Sequence, residues 1–382
     1  ADAVTVTVSV RNTGDCAGKE VVQLYCEAPQ GMLGKPARTL CAFAKTKLLA
    51  AGEEQLLTLT VRKDELASYD DSGVTGHPFC EVLEAGTYRF FLGGDVRSAG
   101  EIGTFTLMET QVTAQRTQAL APVVPFQRMK NCGGKLTWED VPLRKYDLQQ
   151  RVQAHLPESL PMTGNRGFRL CDVADGKISM ADFVAQMDEN MLCTLVRGEG
   201  MCSPKVTPGT AGAFGGLSPK LQALGIPAIC CADGPSGIRM DCGTQAFLLP
   251  SGTCLACTFN ETLISDLYAC TGQEMRRNRI DLLLAPGMNL HRHPLNGRNF
   301  EYFSEDPLLT GKMASAVIKG LQSSDVSGTI KHFACNNQEF KRHDANSIVS
   351  ERALREIYLR GFEIAVKQGG AYSIMSTYGP VY

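Results

Sequence analysis

Neither sign of charge prevails in this sequence. Its 382 residues hold 38 lysines and arginines against 40 aspartates and glutamates, so nothing favours nucleic acid or an anionic membrane as a partner. No apolar run approaches the roughly 20 residues that a membrane span needs. The opening ADAVTVTVSV lacks a basic stretch and an initiating Met, and it does not read as a signal peptide. It reads as the middle of a strand, so the chain is expected to begin inside something larger. No glycine-rich phosphate cradle stands out. Tryptophan occurs once, as Trp138. Cys254 and Cys257 form a lone C-x-x-C, and a zinc site wants a second such pair or suitably spaced histidines. The pair is expected to be two small core residues on a helix approach.

Cysteine itself is not scarce. There are fifteen, an odd number, and Cys230, Cys231 and Cys335 fall in apolar runs. They read as reduced thiols of a cytoplasmic protein. The 43% hydrophobic content is ordinary for a globular protein.

Residues 1–98 read as β. Val4, Val6, Val8 and Val10 alternate with Thr5, Thr7 and Ser9, the period of a half-buried strand. EVVQLYC, EQLLTLTV and GTYRFFLGG repeat the theme between Gly, Pro, Asn and Asp turns. About seven short strands in roughly 100 residues predict a β-sandwich of immunoglobulin or fibronectin type. Residues 99–185 are broken by prolines and read as an ordered connector that keeps Phe, Trp, Leu and Tyr to bury, with GTFTLMETQV as one more strand. From 186 to 382, apolar runs alternate with helical patterns. Strands are expected at 226–232, 280–286, 328–333 and 371–375. Helices are expected from Asn260, from Pro307 and from Ser350, the last ending at Gly369 and Gly370. Continuous apolar strands between amphipathic helices predict a parallel α/β sheet, either barrel or doubly wound.

Polar clusters come after each predicted strand: Asp233 and Arg239 in ADGPSGIR, Arg298 and Glu301 in NGRNFE, Lys331 and His332 in KHF, and Tyr378 in STY. The C-terminal ends of parallel strands open on one face, where an active site forms. A phosphate and a polyhydroxylated sugar both suit such a set: arginine and lysine fit phosphate, while carboxylates, cations, imidazole and aromatic rings together fit sugar hydroxyls and the apolar sugar face. Each residue also has a structural reading. Asp233 could cap its turn, Arg298 could pair with Glu301 or Glu305, Lys331 and His332 could be scaffold, and Tyr378 could be core. His291 and His293, with His332 and His343, raise a further alternative, a barrel metallohydrolase.

GIPAICCADGPSGIR, LAPGMNLHRHPLNGRNFEYFSEDP, KHFACNNQE and SERALREIYLRGFEIAVK resemble, in order, motifs of the first barrel domain of glycoside hydrolase family 3, the β-glucosidase group. NTGDCAGKEVVQLY and LAAGEEQLLTLTV resemble its fibronectin-III-like domain. The resemblance implies an incomplete TIM-type barrel after the β-sandwich, with the domain order permuted. It implies retaining hydrolysis of terminal β-D-glucosyl residues without metal or organic cofactor. β-Glucosides or cello-oligosaccharides are the implied substrates, and homo-oligomerisation stays open. Asp233, Arg239, Arg298, Lys331, His332 and Tyr378 fall on the family's sugar-binding positions. The family's aspartate nucleophile is expected beyond Tyr382, and its glutamate acid/base in a sandwich domain that this chain lacks. The chain is thus expected to be a fragment without either catalytic carboxylate, and Glu301 and Asp306 are not substitutes. A non-catalytic carbohydrate-binding module is the alternative.

Overall fold

The computed structural model describes residues 2–381. Its first part is a β-sandwich. β1 (Ala3–Arg11) pairs antiparallel with β4 (Glu54–Arg62). β2 (Val21–Glu27), β3 (Thr39–Lys45), β7 (Gly86–Gly93) and β8 (Gly100–Leu107) form a sheet in the order β3-β2-β7-β8. β5 (Ser68–Tyr69), β6 (Cys80–Leu83) and β9 (Gln111–Gln115) form a third sheet. The alternation in the sequence sets the faces. Leu57, Leu59 and Val61 of β4 are buried, and Val4, Val6, Val8 and Val10 of β1 pack against the same core as Leu24, Tyr88 and Phe90. Thr5 faces Thr60 and Thr7 faces Thr58 across the ladder. Strand pairing runs past the expected limit at residue 98, since β8 pairs with β7 and β9 with β6. Most of β8 is exposed, so its sequence lacks a clear alternation, yet Phe105 stacks on Tyr88 at 4.7 Å.

Within the expected connector, 99–185, a hairpin comes after these sandwich strands, β10 (Gln127–Cys132) and β11 (Lys135–Asp140). Gly133 and Gly134 form its two-residue turn with φ of 58° and 83°, a conformation that favours glycine at both positions. Here one expectation fails. Trp138 is exposed, together with Met129 and Leu136, because a two-stranded ribbon has no second layer to cover that face. The end of the connector packs into the α/β part: Phe168, Leu170 and Phe183 gather with Met187, Met191, Leu221 and Leu224.

The remainder is α/β. β12 (Gly212–Gly215), β13 (Ala228–Asp233), β14 (Leu282–Leu284) and β15 (Ser327–Gly328) lie in that order in one sheet. β16 (Ile330–Phe333) and β17 (Ile374–Ser376) form a parallel pair. β13, β14 and β15 are parallel, but β12 runs antiparallel to β13 and corrects the all-parallel expectation. No long crossover helix separates β12 from β13, only the five-residue helix Pro219–Ala223, and a short return favours antiparallel pairing. Among the described residues the sheets do not close into a barrel.

Three helices fill the crossovers. Asn260 caps Glu261–Arg277 by accepting from Leu263 N at 3.1 Å, and Asp306 caps Pro307–Gln322 by accepting from Leu309 N at 2.8 Å. Such caps stabilise a helix by about 1 kcal/mol each. The helix expected from Ser350 is broken into Glu351–Ala353, a π-turn over Leu354–Tyr358, and Arg360–Lys367. The break lies where this segment docks the sandwich. Arg352 donates to the carbonyls of Leu33 and Gly34 at 2.7 and 2.8 Å, and Glu356 accepts from Tyr69 N at 2.7 Å. Phe43 meets Phe259 edge-on at 5.3 Å in the same interface. Among the described residues no helix is long and apolar enough to cross a membrane.

Candidate functional site

The turn after β13 needs its glycines. Gly234 and Gly237 have φ of 130° and 125°, and a Cβ on Gly234 would lie 1.7 Å from the Gly237 carbonyl oxygen. This turn places Asp233 at the strand end, where its carbonyl accepts from Arg239 N at 2.7 Å. β16 brings Lys331 to the same place. Its ammonium donates to Asp233 Oδ1 at 2.8 Å, and the lysine side chain is only 3% exposed. A buried ammonium is tolerable because that carboxylate pairs it. Among the described residues Asp233 Oδ2 has no hydrogen-bond partner, so an acceptor stands beside a fixed cation.

Arg298 enters from the loop after β14. Its Nε pairs with buried Glu301, and its Nη1 lies 3.0 Å from His332 Nε2. Arginine can only donate, so His332 Nε2 is the acceptor and Nδ1 carries the proton. Nδ1 lies 3.3 Å from Asn289 Oδ1 and 3.4 Å from the Tyr302 hydroxyl, two acceptors suited to that tautomer. Burial, along with the charges of Arg298, Lys331 and Arg342, pushes the imidazole pKa down to about 2. For Arg298, burial opposes the charged form, but the hydrogen bond and charge of Glu301 prevail and hold its pKa above the ordinary value.

Tyr378 comes after β17. Its ring is 5.2 Å from that of His332, lies under the Arg342 guanidinium at 3.8 Å and meets His343 edge-on at 5.4 Å. Arg239 is more exposed and pairs with Asp241 at 2.9 Å.

Asp233, Arg239, Arg298, Lys331 and Tyr378 line one cavity of about 120 Å³, with Asp241 and the apolar walls Met201 and Met375. Five of the six residues singled out from sequence therefore converge. His332 does not line it: fully buried, it stands behind Arg298. Sequence reasoning passed over Asp241, which lines the cavity, Asn289 and Tyr302, which contact His332, Asn336 and Glu339, which extend that network, and Arg342, which lies over the Tyr378 ring. The run CNNQEFKRHD soon after the Lys-His pair, dense in amides and charges, was the available signal.

The metal alternative finds no ligand set. His291 Nε2 bonds the Asn299 carbonyl at 2.9 Å, and His293 Nδ1 accepts from Leu295 N at 3.1 Å, so both imidazoles fasten their own loop. Among the described residues no three His, Cys, Asp or Glu side chains are grouped to hold an ion. A larger cavity, about 490 Å³, lies between the sandwich and the α/β part, and none of the six residues lines it.

Residues 211–379 match the glycosyl hydrolase family 3 N terminal domain, and residues 20–96 match the fibronectin type III-like domain. The chain is 60% identical over 380 residues to a β-glucosidase of Ruminococcus albus, a match that covers all of this chain and 40% of that protein. It is 38% identical over 399 residues to β-glucosidase A of Butyrivibrio fibrisolvens, covering 96% of this chain and 46% of that protein. The crystal structure of a β-glucosidase from Paenibacillus barengoltzii superimposes with a TM-score of 0.97 at 54% identity, over 99% of this chain and 42% of that one. The chain thus spans less than half the length of these relatives. With its fibronectin type III-like domain ahead of the family's N-terminal domain, the chain belongs to glycoside hydrolase family 3.

Proposed function

We propose that this chain supplies the glucose-binding wall of a β-glucosidase, and that the intact protein hydrolyses terminal non-reducing β-D-glucosyl residues with retention. The observation that carries the reading is the convergence of Asp233, Arg239, Arg298, Lys331 and Tyr378 on one cavity, with Lys331 holding one oxygen of Asp233. A carboxylate beside an ammonium presents an acceptor and a donor at the spacing of vicinal hydroxyls, and the tyrosine ring offers an apolar face. The β-glucosidase names of relatives up to 60% identical support the substrate class, β-glucosides or cello-oligosaccharides.

Retention requires a nucleophile and an acid/base about 5 Å apart. In this reading neither is in the chain. Glu301 is bound to Arg298, and Asp306 caps a helix and lines the larger cavity, away from the sugar residues. The α/β part is read as an incomplete TIM-type barrel whose remaining strands lie in the rest of the protein. Fifteen free thiols support a cytoplasmic location. The test is an assay of the purified 382-residue chain on an aryl β-glucoside. No turnover above buffer is expected, and hydrolysis at an enzymatic rate overturns the assignment of the catalytic carboxylates.

A further inference from the structure

We propose that Glu339 is a positioning residue that holds two walls of the sugar cavity in register, orienting Arg298 through one carboxylate oxygen and Tyr378 through the other. The inference rests on the sugar-binding reading of that cavity. Glu339 does not line the cavity itself. Its Oε1 accepts from Asn336 Nδ2 at 2.8 Å, and its Oε2 accepts from Arg342 Nη1 at 2.9 Å.

The two oxygens lead to different cavity residues. On one side Asn336 Nδ2 also donates to the Tyr302 hydroxyl at 3.1 Å, and that hydroxyl lies 3.4 Å from His332 Nδ1. His332 in turn accepts from Arg298 at 3.0 Å. On the other side Arg342 covers the Tyr378 ring at 3.8 Å. The loop that carries Arg298 also packs on the same residue, since a Cβ on Gly297 would lie 3.6 Å from Glu339 Cβ.

Only a carboxylate fits this point. Both neighbours present donors, an amide NH₂ and a guanidinium, and both need an acceptor. Glutamine would turn its own NH₂ toward one of them, so one arm would lose its bond. Asn336 is 4% exposed, and a half-satisfied network at such burial is costly to leave in place. The sites being coupled, Arg298 and Tyr378, approach the cavity from loops 80 residues apart in the chain, and Glu339 is where their supports meet.

The experiment is Glu339→Gln in the 382-residue chain, with nitrogen-15 spectra of the His332 ring, fluorine-19 spectra of fluorotyrosine at Tyr378, and titration with glucose. The expected result is displacement of the His332 or Tyr378 signal, together with an affinity loss of about tenfold, as for one lost charge-assisted bond. Glu339→Asp, which keeps two acceptors, recovers part of the affinity. A merely structural glutamate would lower Tm and leave both signals and the affinity in place, and that outcome overturns the proposal. If the glutamine variant does not fold, Arg342→Lys carries the test on one arm. It should move the Tyr378 signal most and that of His332, whose ring lies 5.2 Å from the Tyr378 ring, less, and equal movement of both contradicts the two-arm arrangement. A wild-type chain that ignores glucose while Glu339→Gln still displaces the spectra would sink the sugar reading and keep the positioning role.

Discussion

Lys331 is charged and almost wholly buried, and Asp233 is what makes that tolerable. Lys331→Met keeps the apolar stem and deletes the charge. Glucose affinity should fall about 10- to 100-fold, the range for a lost hydrogen bond to a charged group, while Tm holds or rises, as titration and thermal unfolding would show. His332 makes a different prediction. With its pKa driven to about 2 by burial and three cations, its ring should stay neutral between pH 5 and 8. The unfolded chain takes up the proton near the ordinary value, so this group's contribution to stability is present above about 6.5 and declines as pH falls below it. A nitrogen-15 titration of the ring that showed a midpoint near 6.5 would contradict the buried, neutral imidazole. Asp306 has the opposite sign. Burial raises its pKa to about 6 against the pull of its two backbone hydrogen bonds, so the folded state favours the protonated acid and stability declines as pH rises from about 4 through 6. Asparagine caps as well as aspartate. Asp306→Asn should therefore match the wild-type Tm at pH 4 and exceed it at pH 7.5. The identities of Asp233, Arg298 and Lys331 as cavity residues were legible because strand-end polar clusters after apolar runs are visible in one dimension. The place of His332 was not. Whether an imidazole faces a cavity or stands behind an arginine is decided by Asn289, Tyr302 and Arg298 together, and nothing in KHF carries that information.

At the scale of elements, the turn after β13 is the most exacting. Gly234→Ala would drive a Cβ into the Gly237 carbonyl at a φ of 130° and displace Asp233. The expected effect is a loss of about 2 kcal/mol or more of stability, read as a lower Tm, along with lost glucose binding. Helix starts at Asn260 and Ser350 were legible from side chains that accept from the first turn, whereas the helix from Pro307 was expected without its Asp306 cap. The π-turn at Leu354–Tyr358 was not legible. It lies in a segment that docks on carbonyls of Leu33 and Gly34 more than 300 residues earlier, and a single amphipathic pattern cannot announce a distant dock. β12 was not anticipated at all. GAFG has too few side chains to show a direction, and pairing is decided by the short return to β13.

For the molecule as a whole, the sandwich and the α/β part are joined by an interface rather than by the connector alone. Arg352, Glu356, Phe43 and Phe259 fasten them directly, and Lys45 donates to the Thr258 carbonyl at 2.6 Å. The cavity lined by Asp233, Arg298, Lys331 and Tyr378 lies at the strand ends of the α/β part, and the proposed function stands or falls with the wall presented there. The decisive experiment titrates the isotopically labelled 382-residue chain with glucose while the signals of Lys331, Arg298 and Tyr378 are observed. Saturable shifts confined to these residues and their neighbours, absent in Asp233→Asn, are expected. Unchanged signals at high glucose concentration, or equal shifts in the Asp233→Asn variant, would refute the sugar-binding wall.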